Sequence, residues 1–138
     1  MTEAVIDASV VTACCFEDEA GSVADLEDLV AGAEALVPSC FRLEFANAIR
    51  SGVRRGRMTA AVGREMIMGV VGMDWNVDPT DAESIAAIHD LAVAHSLTMY
   101  DASYLELAIR RGCALATLDA ALIRAARAES VAVVQLHH

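Results

Sequence analysis

Short runs of apolar residues alternate along the chain with longer segments in which apolar residues recur every three or four positions. Short runs bounded by polar or turn residues favour buried strands, whereas the longer period favours amphipathic helices. The strands predicted in this way are Ala4–Ile6, Ala35–Val37, Trp75–Val77, Ala114–Thr117 and Val131–Leu136, with a brief strand or extended turn at Leu97–Met99. Because strands and helices alternate, the pattern predicts an α/β domain with a parallel sheet.

Helix boundaries follow from capping residues and from the apolar period. Ser22 with Asp25 and Thr80 with Glu83 have capping-box spacing, and Gly112 is a candidate C-terminal cap. Helices are accordingly predicted at Ser9–Phe16, Ser22–Ala31, Phe41–Arg55, Thr59–Met73, Thr80–Ser96, Asp101–Arg111 and Ala120–Ala128. The fourth of these is apolar on more than one side, which fits either a helix packed on two faces or a helix at a subunit interface.

Length and composition fit one domain. With 138 residues, 56% of them apolar, the chain is expected to form a single domain over residues 1–136, followed by His137 and His138 as a tail or the remnant of a purification tag. No apolar run approaches the roughly 18 residues that span a bilayer, and the first residues lack the basic region of a signal peptide. The four cysteines show no Cys-x-x-Cys spacing. We therefore expect a cytoplasmic protein with reduced thiols and no membrane partner.

The charge distribution limits the classes of partner. The formal net charge is −10, and all ten basic residues are arginine. Such a balance argues against a broad basic surface for nucleic acid. Four arginines cluster at the end of the third predicted helix: Arg50, Arg54, Arg55 and Arg57. This cluster fits two roles equally well, a favourable interaction with the helix dipole and a patch for RNA phosphates.

Three aspartates stand at corresponding places in the pattern. Asp7 and Asp119 directly follow apolar strands, Asp101 follows the brief extended segment, and the tripeptide Asp-Ala-Ser begins at both Asp7 and Asp101. Any one of them is also explained as a helix cap. In a parallel α/β sheet, however, ligands bind beyond the carboxyl ends of the strands, and Glu44, one turn into the helix after the second strand, can reach the same edge. The sequence therefore predicts that these four carboxylates converge.

Converging carboxylates limit the chemistry of the site. Two unit charges 4 Å apart repel by roughly 4 kcal/mol at an effective dielectric constant of about 20, so the cluster needs a cation or retained protons. Oxygen donors without cysteine or paired histidine favour Mg²⁺ or Mn²⁺ over zinc. Such a pocket typically carries out phosphoryl or phosphodiester chemistry. The lack of lysine disfavours receiver domains and phosphatases in which a lysine pairs with a phosphorylated aspartate.

Four segments carry a family resemblance over essentially the whole chain. They are Val5-Ile-Asp-Ala-Ser9, Glu44-Phe-Ala-Asn47, Tyr100-Asp-Ala-Ser-Tyr-Leu-Glu-Leu-Ala108 and Thr117-Leu-Asp-Ala-Ala-Leu122. In this order they resemble the PIN-domain family, and within it the VapC-type toxins of bacterial toxin–antitoxin pairs. The resemblance implies a three-layer α/β/α fold with a central, mainly parallel sheet of four to five strands. It also implies an endoribonuclease that depends on Mg²⁺ or Mn²⁺.

The resemblance further implies roles for individual residues and partners. Four carboxylates carry over as catalytic and metal-binding residues: Asp7, Glu44, Asp101 and Asp119. The first three would bind the principal metal ion, and the fourth would complete a second metal site or orient the water. Three polar residues carry over as supporting residues: Ser9, Asn47 and Thr117. The implied partners are an RNA substrate, a second copy in a homodimer, and a VapB-type antitoxin that lays an arginine-bearing peptide into the acidic pocket.

Two other functions stay open at this stage. One is a catalytically weak PIN-like binding module that acts only through its partner. The other is a metal-dependent phosphohydrolase of small phosphate esters. The sequence names neither the RNA target nor the number of metal ions.

Overall fold

The structure is a computed structural model that describes residues 2–16 and 33–134. Its strands are β1 (Thr2–Ile6), β2 (Ala33–Pro38), β3 (Asn76–Asp78) and β4 (Ala114–Ala116). Its helices are α1 (Ala8–Cys15), α2 (Phe41–Arg54), α3 (Ala60–Val71), α4 (Ala82–His95), α5 (Met99–Arg111) and α6 (Ala120–Ala128). The helix predicted over residues 22–31 lies outside the described residues.

The four strands form one parallel sheet in the order β3-β2-β1-β4. β1 occupies a central position, and its apolar residues Val5 and Ile6 are fully buried, as is Leu36 of β2. Near-continuous apolar strands of this kind are typical of a parallel sheet covered by helices on both faces. The structure thus confirms the predicted three-layer α/β/α fold, with four strands in the sheet that the described residues form.

The carboxyl edge of the sheet carries the segments of interest. The backbone N–H of Asp7 donates to Ala116 O at 2.9 Å, so the chain leaving β1 lies beside the chain leaving β4. On the other side of β4, Val133 forms a single parallel bridge with Leu115. The strand predicted at Val131–Leu136 is therefore only a short extended segment as far as residue 134, and its last two residues lie outside the described range.

Two predicted helix starts are wrong, each because a neighbouring residue provides the cap. The α4 cap is Asp81 rather than Thr80, because the Asp81 carboxylate accepts the Ser84 N–H at 2.8 Å. The extended turn predicted up to residue 99 ends earlier, because Thr98 caps α5 and accepts the Asp101 N–H at 3.1 Å. Asp101 consequently lies within the first turn of α5 and does not precede the helix.

Other predicted helix ends are confirmed. Thr59 caps α3 by accepting the Val62 N–H at 3.2 Å. Gly112 ends α5 with a φ of 62°, a left-handed conformation that glycine adopts without strain. α5 is the most deeply placed of the described helices, since every residue from Ala102 to Ala108 is buried. No helix in the described parts of the chain is long and apolar enough to cross a membrane.

An ion-pair cluster ties the edge strand β3 to the end of α5. The Arg110 guanidinium donates to both carboxylate oxygens of Asp78, at 2.7 and 3.2 Å, and to Glu106 at 2.8 Å. Both carboxylates are nearly buried, whereas Arg110 keeps part of its side chain in solvent. Arg111 adds a bond to Glu3 of β1. Since a buried carboxylate without a partner is costly, this cluster fixes β3 against the rest of the sheet.

Candidate active site

All four predicted carboxylates line one cavity of about 440 Å³ at the carboxyl edge of the sheet. Asp7 follows β1, Glu44 lies in the first turn of α2, Asp101 lies in the first turn of α5, and Asp119 precedes α6. We refer to this space as the acidic cavity. Its wall also includes Ser9 and five further polar or basic residues or glycines: Thr12, Ser51, Gly52, Arg55 and Arg57.

Asp7 is the most deeply buried of the four carboxylates, with 4% of its surface exposed. Its oxygen Oδ2 accepts hydrogen bonds from the hydroxyls of Ser9 at 2.6 Å and Thr117 at 2.7 Å. Burial raises the pKa of Asp7, the two hydroxyl bonds oppose that rise, and the charges of Asp101 and Asp119 add to it. The Asp7 side chain does not cap α1, so the helix-cap explanation fails for this residue.

The same hydroxyls join the β1 side of the cavity to the β4 side. Thr117 Oγ1 accepts the Asp119 N–H, and Ser9 Oγ accepts the Leu118 N–H, each at 3.1 Å. The Asp119 carboxylate caps α6 by accepting the Leu122 N–H at 2.9 Å through Oδ2. Ser9 and Thr117 therefore contact Asp7 directly and hold the turn that carries Asp119.

Among the described residues Glu44 has one close hydrogen-bond partner, the hydroxyl of Tyr104. Tyr104 is fully buried in α5, and its hydroxyl donates to Glu44 Oε1 at 2.5 Å. Burial raises the pKa of Tyr104 far above its ordinary value, so the hydroxyl keeps its proton and acts as the donor. Burial raises the pKa of Glu44 as well; the Tyr104 bond lowers it, and the charges of Asp7 and Asp101 raise it further.

Asp101 completes the electrostatic picture. Its pKa is raised by burial and by the charge of Asp119, while a hydrogen bond with Thr98 opposes the change. Three of the four carboxylates thus favour protonation more than isolated carboxyls do. A cavity in which acids hold their protons at unusually high pH is one that a bound cation would stabilise.

Asn47 lies away from the acidic cavity. It is exposed on α2 and lines an adjoining groove of about 770 Å³ together with Leu43, Ile67 and Tyr100. Glu44 lines both spaces, so the groove opens beside the carboxylates. Leu43 and Tyr100 are strongly exposed for apolar and aromatic residues, at 78% and 62%.

The donor set suits a hard divalent cation. It consists of carboxylate oxygens with neighbouring hydroxyls, and the Thr12 hydroxyl oxygen is buried on the cavity wall with no hydrogen-bond partner in the described structure. Oxygen donors of this kind fit Mg²⁺ or Mn²⁺. As they stand, no three acidic, histidine or cysteine side chains among the described residues form a ready set of ligands for one ion. The four carboxylates thus share a cavity, and their oxygens are the donors that would hold the cation.

Comparison with known protein families gives a match over most of the chain. Residues 4–128 match the family described as PIN domain. This match covers most of the chain, including all four carboxylate positions, and the chain belongs to the PIN-domain family. No match was found among curated protein sequences.

Solved structures share this fold at low sequence identity. PAE2754 from Pyrobaculum aerophilum is 23% identical with a TM-score of 0.70, over 96% of this chain and 83% of that one. VapBC2 from Rickettsia felis, bound to a DNA fragment from its promoter, is 10% identical with a TM-score of 0.70, over 99% and 100%. VapC20 from Mycobacterium tuberculosis, a toxin that cleaves the sarcin-ricin loop, is 13% identical with a TM-score of 0.64, over 89% and 95%.

Sequence reasoning assigned no role to Tyr104 or to the Phe16–Arg57 contact. Tyr104 lies in a largely apolar stretch of its helix, which predicts that its ring is buried. A buried tyrosine hydroxyl usually needs a polar partner. That requirement was a signal in the sequence, although the partner lies 60 residues away along the chain. The Arg57 guanidinium lies 3.7 Å from the centre of the Phe16 ring, a contact that no local pattern indicates.

Proposed function

We propose that the chain is an endoribonuclease that depends on Mg²⁺ or Mn²⁺ and hydrolyses RNA phosphodiesters at the acidic cavity. The observation that carries this proposal is the cavity, which gathers four carboxylates from four separate segments. Membership of the PIN-domain family supports it, because PIN domains are generally nucleases. The likeness in fold to a toxin that cleaves the sarcin-ricin loop favours RNA as the substrate class.

In this proposal Asp7, Glu44 and Asp101 hold the principal metal ion, and Asp119 completes a second site or orients the water. The ion, when bound, activates a water molecule and stabilises negative charge on the phosphate. The remaining work falls to the chain itself. Two hydroxyls fix the Asp7 carboxylate, and Tyr104 fixes Glu44, so both carboxylates keep their orientation when the ion is absent.

We propose further that the protein is a VapC-type toxin held in check by a VapB-type antitoxin. The groove beside Glu44 offers exposed apolar and aromatic side chains to a partner segment, notably Leu43 and Tyr100. A guanidinium on that segment could enter the acidic cavity and pair with its carboxylates. The likeness to VapBC2 on its promoter DNA supports an antitoxin partner. A homodimer is the other assembly proposed, and α3 presents Val62 and Met68 to solvent for it.

Conservative replacement of the carboxylates tests the nuclease. Asp7→Asn or Asp101→Asn should abolish Mn²⁺-dependent cleavage of RNA while the circular dichroism spectrum stays that of the wild type. Asp90→Asn is the matched control, because Asp90 is an exposed acid of α4 outside the acidic cavity. Wild-type cleavage rates in both site variants, after purification free of contaminating nuclease, would show that the proposal is wrong.

The two alternative functions predict different results. A binding module would take up no Mn²⁺ in calorimetry at millimolar concentration and would leave RNA intact. A phosphohydrolase of small esters would turn over a nucleotide or a phosphate ester in the presence of Mn²⁺ while leaving RNA uncut. Measuring Mn²⁺ binding, ester turnover and RNA cleavage on the same preparation separates all three.

A further inference from the structure

Two arginines lie on the wall of the acidic cavity, and the backbone positions both of them. Arg55 is the C-terminal cap of α2, and Gly56 follows with a φ of 77°, a left-handed conformation that turns the chain sharply. The Arg57 N–H then donates to Gly52 O at 2.9 Å. This turn returns Arg57 to the cavity, so Arg55 and Arg57 form a basic margin on an otherwise acidic space. We call these two residues the arginine rim.

The Arg57 side chain is fixed by an aromatic ring. Its guanidinium carbon lies 3.7 Å from the centre of the Phe16 ring, which is itself buried. The ring packs against Gly52 so closely that a Cβ there would lie 2.7 Å from it. A planar guanidinium stacked on an aromatic face loses little further freedom when its edge binds an anion.

The charge of the whole protein makes this position informative. A chain with a net charge of −10 and no lysine repels a polyanion overall. Ser51 and Arg55 also line a second, smaller cavity together with Arg54, so positive charge continues outward from the acidic cavity along the end of α2. The arginines therefore lie beside the four carboxylates, on the wall of the same cavity.

We infer that the arginine rim binds the phosphate adjacent to the scissile one in a single-stranded RNA segment. This inference rests on the proposed function and assigns to Arg55 and Arg57 the positioning of the substrate strand. It explains how a strongly acidic protein accepts RNA: two guanidiniums, one of them stacked on Phe16, offset the local repulsion at the point of chemistry. Guanidiniums bind phosphate oxygens in a bidentate manner, which also sets the register of the strand.

An RNA-binding assay tests the arginine rim without cleavage. Binding of a labelled single-stranded RNA of about a dozen nucleotides is measured by fluorescence anisotropy, in EDTA and over a range of KCl concentrations. Arg57→Gln and Arg55→Gln should each weaken binding about tenfold and reduce the slope of log K against log salt by about 0.7, the value for one phosphate contact on a single strand. Arg57→Lys should keep most of the slope. Arg127→Gln is the matched control, because Arg127 is an exposed arginine in the last turn of α6.

Wild-type affinity and slope in both glutamine variants would overturn the inference, as would an equal loss in Arg127→Gln, which would indicate a general effect of charge. If Arg57→Gln lowers the unfolding temperature, the exposed Arg55 gives the decisive comparison. With Mn²⁺ present, the rim variants should raise KM for RNA and leave kcat unchanged. Failure of the proposed function is distinguishable, because it would leave RNA uncut by the wild type whatever the rim variants bind.

Discussion

Replacing Tyr104 by phenylalanine removes a single hydroxyl from a fully buried ring and leaves Glu44 Oε1 without its close protein partner. A hydrogen bond to a charged group contributes about 1.5–3 kcal/mol to stability. Because Glu44 is only half-buried and can recover part of this from water, we expect a loss of about 1–2 kcal/mol in the free energy of unfolding. For a domain of this size the loss corresponds to a fall of roughly 3–8 °C in Tm.

The same change should weaken metal binding through the proton. The Tyr104 bond lowers the pKa of Glu44, so its removal lets that pKa rise further. A proton then competes more strongly with the cation, and loss of a partner of this kind typically costs about tenfold or more in metal affinity. The loss in Mn²⁺ affinity should be larger at pH 6 than at pH 8, because competition by the proton weakens as pH rises.

Calorimetric titration with Mn²⁺ at both pH values, together with thermal unfolding in EDTA, measures both effects. The chain contains only two tyrosines, and the second provides the control. Tyr100 lies one turn earlier on the same helix with 62% of its surface exposed, and Tyr100→Phe should change neither quantity. If Tyr104→Phe matches Tyr100→Phe in Tm and in Mn²⁺ affinity at both pH values, the hydroxyl does not position Glu44.

Four further measurements use thermal unfolding followed by circular dichroism. Asp7→Asn should raise the stability of the metal-free protein, by about 0.5–2 kcal/mol, because a buried charge is removed from a repulsive cluster. For the same reason the Tm of the wild type in EDTA should fall as pH rises above about 4, since carboxyls of raised pKa bind more protons folded than unfolded. Arg110→Met should cost about 2–3 kcal/mol, because two nearly buried carboxylates lose their shared cation. Gly52→Ala should destabilise by about 1–3 kcal/mol through its clash with Phe16, whereas Gly69→Ala, with nothing within 4 Å, should stabilise α3 by about 0.5–1 kcal/mol. A change in stability of the opposite sign in any of these measurements would contradict the interaction from which that prediction was made.

The element order and the convergence of the acids could be predicted because both follow from short-range patterns. Asp7 directly follows β1 and Asp119 lies shortly after β4, and parallel strands bring their carboxyl ends to one edge. Glu44 could be placed at the same edge because it lies in the first turn of the helix that follows the second strand. These steps use periodicity and topology and require no detail of side-chain packing.

The errors and omissions have a common physical cause. Several residues of similar chemistry could make the same contact, and the sequence alone does not show which of them does. Thr80 and Asp81 are adjacent capping residues, and only the backbone geometry selects the carboxylate. The sequence suggested Asp101 as a helix cap. In the structure Thr98 is the N-terminal cap of α5, and Asp101 lies within the first turn. The Tyr104–Glu44 bond joins residues 60 positions apart, and no local pattern encodes such a pair.

The four cavity acids are spread over positions 7, 44, 101 and 119, and this spacing has a consequence for how the protein is made. A nascent chain that has left the ribosome only as far as residue 100 carries half of the acids and lacks α5, the helix on which the centre of the fold is packed. Such a chain cannot assemble the cavity. Products truncated before Asp101 are therefore expected to be inert, because the cavity assembles only after the segments that carry Asp101 and Asp119 have been made.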